Sequence, residues 1–151
     1  FTMNSKTSDW FETKIRYAKV QEDGSQKNVT EQYVVDAVSF SEAEERILDE
    51  MKVYISGDYK ITAIVPASYH EIFFSDDEKD DKWFKAKVEF ITIDEKTEKE
   101  KRTKTTYLVQ AGSLASAVKY INSFMDDSMC DYTSVSAQET KIMDVFKYEK
   151  K

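Results

Sequence analysis

Between residues 11 and 17, Phe11, Thr13, Ile15 and Tyr17 alternate with Glu12, Lys14 and Arg16. A period of two predicts a strand with one buried and one wet face. Phe84, Ala86, Val88 and Phe90 alternate with Lys85, Lys87 and Glu89 in the same way, so a second strand of the same phase is expected there. Polar stretches at 21–28 and 94–104 then lead into apolar runs at 33–38 and 107–111, and each pair of strands reads as a long hairpin. Asp23-Gly24 is a good turn signal for the first hairpin, whereas the second has only charged residues at its tip.

A helix follows each hairpin. Ser39 with Glu42, and Ser41 with Glu44, form two overlapping capping boxes, and either satisfies amide N–H groups that lack partners inside the helix. Ala43, Ile47 and Met51 then fall on one face, and Leu114, Ala117, Val118, Ile121, Phe124 and Met125 make a fuller stripe in the second helix. Gly57 is expected to end the first helix in a left-handed cap. Strands are expected at 59–65 and 70–74, with counterparts at 131–137 and 141–146.

The parallel is textual as well as periodic. Trp10-Phe11-Glu12-Thr13-Lys14-Ile15 returns as Trp83-Phe84-Lys85-Ala86-Lys87-Val88 at an offset of seventy-three residues. The run from Tyr33 returns from Tyr107 at seventy-four, and Ala43, Ile47 and Met51 return as Ala117, Ile121 and Met125. Asp58-Tyr59 and Ile72-Phe73 return as Asp131-Tyr132 and Val145-Phe146, back at seventy-three. Self-similarity at a fixed spacing marks a duplicated supersecondary unit. The expected fold is therefore α+β: two ββαββ repeats related by pseudo-twofold symmetry, with antiparallel sheets and one helix per repeat. Repeat 1 spans 10–75, an acidic connector 76–82 and repeat 2 83–148, one structural domain in total, after a disordered or cloning-derived leader at 1–9.

Composition narrows the function classes. The 151 residues are 40 % hydrophobic and 13 % aromatic, enough to build a core, and only 3 Gly and 1 Pro argue against disorder. With 34 % charged residues and no long apolar run, no membrane span is expected. The polar N-terminal residues carry no export signal, and a single cysteine allows no internal disulfide, so a cytoplasmic location is expected. A net charge of −7 opposes a phosphate backbone and disfavours direct nucleic-acid binding.

No familiar catalytic arrangement is visible. His70 and Cys130 are the lone histidine and cysteine, and a base–nucleophile dyad of the two lacks any supporting motif. Cys130 reads better as packing after the second helix. Asp76, Asp77, Glu78, Asp80 and Asp81 offer carboxylates to a hard cation but lack the glycine and spacing of an EF-hand loop, so a solvated linker is the preferred reading. Too few His and Cys ligands are present for a standard zinc site. Lys96, Lys99, Lys101, Arg102 and Lys104 make the second hairpin tip basic, but Glu95, Glu98 and Glu100 are interleaved with them, as in a self-paired, solvated hairpin. In Trp10-Phe11 and Trp83-Phe84 the Phe takes the core phase and the Trp the opposite face. Trp10, Trp83, Lys14 and Lys87 are accordingly the expected interaction surface, with intramolecular packing of the tryptophans weighed equally.

The strings from Trp10 to Tyr17, Val29 to Ala37, Tyr69 to Phe74 and Trp83 to Val88 resemble a family of uncharacterised small proteins from Bacteroidetes-type gut bacteria and their phages. The resemblance spans nearly the full chain and implies a domain of unknown function, carried on prophage or mobile elements, with no catalytic residues to transfer. The expected function is a non-enzymatic interaction module that binds a protein partner or itself, without cofactor or metal. One alternative is an acidic nucleic-acid mimic that presents Glu42, Glu44, Glu45, Asp49 and Glu50. Another is a small enzyme that uses His70 or Cys130.

Overall fold

The computed structural model describes residues 9–128 and 130–148; the N-terminal leader read from the sequence lies almost wholly outside them. The chain is mixed α+β, and its described residues form two helices and two four-stranded sheets. The contacts of the described residues group into two compact units, one of those up to Ala67 together with those from Lys141 onward, the other of those within Ser68–Thr140.

The first unit contains β1 (Asp9–Val20), β2 (Gln26–Ala37), α1 (Phe40–Met51) and β3 (Tyr59–Ala67). The second contains β4 (Glu71–Phe73), β5 (Lys82–Ile93), β6 (Glu100–Ala111), α2 (Leu114–Asp127) and β7 (Asp131–Glu139). Strand β8 (Ile142–Phe146) completes the first unit, whose sheet runs β3-β1-β2-β8, while the other sheet runs β4-β6-β5-β7. Each first-to-second strand pair is a regular antiparallel hairpin, Asp9 facing Ala37 and Lys82 facing Ala111 at their open ends.

The expectation of antiparallel sheets fails at one edge of each. β8 runs parallel to β2, with Val145 opposite Val34, and β4 runs parallel to β6, with Ile72 opposite Leu108. Each short strand therefore lies in the sheet formed by the other copy of the sequence repeat. The lengths explain why β4 leaves its own sheet. From β3, the far edge of β2 is three strand spacings away, roughly 14 Å, and the connection from Ala67 to Glu71 spans roughly 14 Å only when fully extended. No slack remains to pass over the intervening side chains. Against β6 instead, Ile72 meets Leu108 and both are buried.

Local signals account for most of the remaining structure. The first hairpin turns through residues 21–25 with Gly24 left-handed at φ 84°, where a glycine carries no steric penalty. The second turns through 94–99, one residue longer, with Glu98 at φ 56°, so the repeat offset lengthens at this loop. Ser39 and Ser113 cap the helices by accepting from the amides of Glu42 and Ser116; of the two candidate caps Ser39 is the one used, while the Glu42 carboxylate accepts from the Val38 amide. Gly57 does not cap α1. The helix ends at Met51 with Lys52 still right-handed, and Tyr54 and Ile55 donate back to the Met51 carbonyl in a turn that satisfies the helix end without a left-handed residue.

Each unit has its own core beneath its helix. In the first, Ala43, Ile47 and Met51 cover Phe11, Ile15, Tyr33 and Val35. In the second, Ile121 and Met125 pack on Ala86, Val88, Tyr107 and Val109, while Ala117 packs with Phe84 and Ala111. Leu114, placed in the apolar stripe by its spacing, is instead half-exposed at the helix start.

Gly112 is required by packing and not by its backbone angle. A Cβ there would lie 2.6 Å from the Lys79 carbonyl oxygen, whereas a Cβ at Gly57 would meet nothing within 4 Å. Gly112→Ala is expected to cost about 1–3 kcal/mol, as overpacking does. Gly57→Ala is expected to be neutral within about 0.5 kcal/mol. Urea denaturation of the two variants side by side checks the contrast.

Candidate functional site

Two grooves concentrate the chemistry, one in each unit. The first is built from the ends of the β1–β2 hairpin. Glu31 shares the inward phase of Tyr33, Val35 and Ala37 along β2, which turns a carboxylate toward the helix side of the sheet. It is only 8 % exposed. A buried carboxylate persists where its lone pairs are taken, and here Tyr17 donates to Oε1 at 2.6 Å, Tyr33 to Oε1 at 3.1 Å and Lys19 Nζ to Oε2 at 3.0 Å. Tyr54 and Met143 close the sides of a groove of about 350 Å³ above this cluster.

The electrostatics follow from those contacts. Burial alone would raise the Glu31 pKa, but the three hydrogen bonds and the Lys19 charge outweigh it and hold the carboxyl below its ordinary value. Burial, together with the bond to that anion, pushes the Tyr17 hydroxyl far above its ordinary value, and burial with the Glu31 charge does the same for Tyr33. Glu31 is thus held as the anion and the phenols as donors, an arrangement that orders this part of the surface.

Because the Glu31 pKa is lowered on folding, its contribution to stability is present above the unfolded value near 4.3 and is lost as pH falls through the lower folded value. Glu31→Gln is expected to remove that part of the acid dependence. It also turns an amide toward the Lys19 ammonium, donor against donor, at a cost of about 1–3 kcal/mol at neutral pH. Denaturant unfolding of both proteins between pH 3 and pH 7 checks this, through a gap between the curves that narrows toward acid.

The second groove lies where the chain leaves β4. Asp80, within the acidic connector, is only 6 % exposed and serves as a hub. Its Oδ2 accepts from Ser75 Oγ at 2.5 Å and from the Tyr120 hydroxyl at 2.9 Å. With the Gly112 amide, these bonds hold its carboxyl below the ordinary range, the Ser75 bond most of all. The Ser75 amide also donates to Gln110 Oε1 at 2.9 Å, tying the strand exit to β6. Phe73, Phe74, Tyr120 and Phe124 wall a groove of about 290 Å³, with Asp77 and Asp80 at its rim.

The expected interaction surface, Trp10, Trp83, Lys14 and Lys87, lines neither groove. Lys14 and Lys87 are exposed at mid-strand. Trp10 is half-buried, and Trp83 is buried at 2 % exposure, edge-on to Phe74 with ring centroids 5.5 Å apart. His70 is exposed just before β4, its ring edge-on to Tyr107 at 5.5 Å, and Cys130 is an exposed free thiol. Burial first, then the Glu71 and Cys130 charges, raises the Tyr107 hydroxyl to about 12. At the basic hairpin tip Arg102 pairs with Glu89 at 3.1 Å and Glu100 at 3.4 Å. Among the described residues no three His, Cys, Asp or Glu come together as a metal site, and no helix is long and apolar enough to cross a membrane.

Sequence reasoning does not single out Glu31, and it places Asp80 in a solvated linker, whereas Asp80 is buried. Parity along β2 was a usable signal for Glu31. Nothing local distinguishes Asp80 from its acidic neighbours, because its partners Gly112 and Tyr120 lie far along the chain.

No curated protein and no solved structure matches this chain. A family model does, over residues 9–148, and its family is described as "Domain of unknown function (DUF4494)". The match covers all but the two ends of the sequence, and the chain belongs to that family.

Proposed function

We propose that this protein is a non-enzymatic interaction module, a duplicated ββαββ chain whose working surface is the groove of the second unit. The observation that carries the reading is the Asp80 hub. A buried carboxylate, a serine, a tyrosine and a close glycine contact fix the shape of a groove walled by aromatic rings, two of which, Phe74 and Tyr120, are at least 40 % exposed. Exposed aromatics held on a rigid frame are the usual anchors of protein recognition.

The alternative of an acidic mimic is less well supported. Of its carboxylates, Glu42 pairs with Arg46 at 2.9 Å, Asp49 with Lys52 at 3.6 Å, and Glu50 accepts from Tyr148 at 2.8 Å, which leaves Glu44 and Glu45 as the exposed remainder of the set.

Affinity capture from the native host with wild-type protein and with Ser75→Tyr tests the proposal. The variant places a ring in the groove and also removes the bond from the Ser75 hydroxyl to Asp80. A partner held by the wild type and lost from the variant is expected; equal capture by both, or a strictly monomeric protein that captures nothing, contradicts the module.

A further inference from the structure

The groove of the second unit has a counterpart in the first, and there the chain fills it. Tyr148 follows β8 as Ser75 follows β4, both seventy-three residues apart, as are Phe73 and Phe146. The amide of Tyr148 donates to Asp36 Oδ1 at 2.9 Å, as that of Ser75 donates to Gln110, the residue seventy-four positions beyond Asp36. From this shared anchor the two units diverge. The Tyr148 ring lies along α1 with the Arg46 guanidinium 4.3 Å from its centroid, and its hydroxyl donates to Glu50 Oε1 at 2.8 Å. Arg46 and Glu50 correspond to Tyr120 and Phe124, the helix-side walls of the second groove. A serine at position 75 thus leaves open in one unit the space that a tyrosine ring occupies in the other.

Taking the module reading as its basis, we infer that the second groove binds the aromatic side chain of an extended partner segment, seated as Tyr148 is seated in the first unit and flanked by lysine or arginine. The ring is specified by the walls. Where the first unit offers Arg46 and Glu50 to a phenol, the second offers Tyr120 and Phe124, with Phe73 and Phe124 already packed at 4.6 Å between centroids, so an edge or a stacked ring gains from each. The flanking charge is specified by the rim. Asp76, Asp77, Glu78 and Asp81 set four exposed carboxylates against one cation, Lys79, in the segment beside the groove, and Asp77 lines it together with the buried Asp80. Such a field favours a basic neighbour and penalises an acidic one.

Three capped peptides test this against the full chain by amide chemical-shift titration: Lys-Tyr-Lys-Lys, Lys-Ala-Lys-Lys and Glu-Tyr-Glu-Glu. The first is expected to shift the resonances of Phe73, Phe74, Gln110 and Tyr120, and each of the others to bind at least about tenfold more weakly. Ser75→Tyr and, as a variant that leaves the Asp80 bonds intact, Phe74→Ala are each expected to weaken the first peptide by about tenfold or more; if Ser75→Tyr loses its dispersed spectrum, Phe74→Ala decides. Equal binding of the alanine peptide or of the acidic peptide overturns the inference, as do shifts that map elsewhere or the absence of binding at millimolar peptide. A natural partner that Ser75→Tyr still releases while all three peptides fail would discard this occupant and leave the module standing.

Discussion

Deleting residues 141–151 is expected to lower the melting temperature of the protein by roughly 10–20 °C. The segment looks dispensable, since its strand lies at the edge of a sheet. Its side chains say otherwise. Ile142 and Val145 are each 6 % exposed, Phe146 stacks on Tyr33 at 5.6 Å, and Tyr148 bonds to Asp36 and Glu50 across the end of α1. Each buried apolar side chain contributes about 1.5–3 kcal/mol, so removing three of them forfeits a large part of the roughly 5–15 kcal/mol that stabilises a domain. The deletion also uncovers the edge of β2, with Val34 and Val35 at its centre, and aggregation on heating is expected with the early melting. Differential scanning calorimetry checks it, and a transition within about 2 °C of the full chain would show that β8 holds nothing together.

Phe84→Ala is expected to destabilise the protein by about 3–5 kcal/mol, the upper range for truncation of a core side chain. The size of the effect comes from the neighbours. Phe84 is 2 % exposed and clusters with Ala111 and Ala117, both fully buried. Alanines have no side chain to swing into a void, so the cavity stays open and its lining loses contacts on one side. Phe84→Leu keeps most of the volume and is expected to recover more than half of the loss. Denaturant unfolding of both variants checks the pair, and equal stability of the two would mean that the site collapses freely.

How far the sequence could be read depends on the range of each interaction. Helix stripes and strand parity are local, and Ala43, Ile47 and Met51 or Phe11, Ile15 and Tyr17 take the predicted faces for that reason. Partner choice is not local. A strand as short as Glu71–Phe73 carries no mark of which sheet it will join, and its parallel pairing with β6 follows from the length of the preceding connection and the position of β3, which are properties of the assembled sheet. Gly57 has the sequence context of a cap, but the turn formed by Tyr54 and Ile55 satisfies the helix end before the chain reaches it. The same limit applies to the candidate site. Glu31 stands in the inward phase of its strand and was legible there, whereas the burial of Asp80 depends on Gly112 and Tyr120 closing over it. The tryptophans drew notice as repeated aromatics, yet the more informative comparison between the copies is a difference, Ser75 against Tyr148.

The crossed placement of β4 and β8 underlies the whole fold, and through-space backbone contacts in an isotopically labelled sample of residues 1–151 decide it. Amide-to-Hα contacts are expected between Val34 and Val145 and between Leu108 and Ile72, in the pattern of parallel strands. Contacts from Val34 to Ile72 and from Leu108 to Val145 in their place would show each repeat closing on its own strand, and would contradict it.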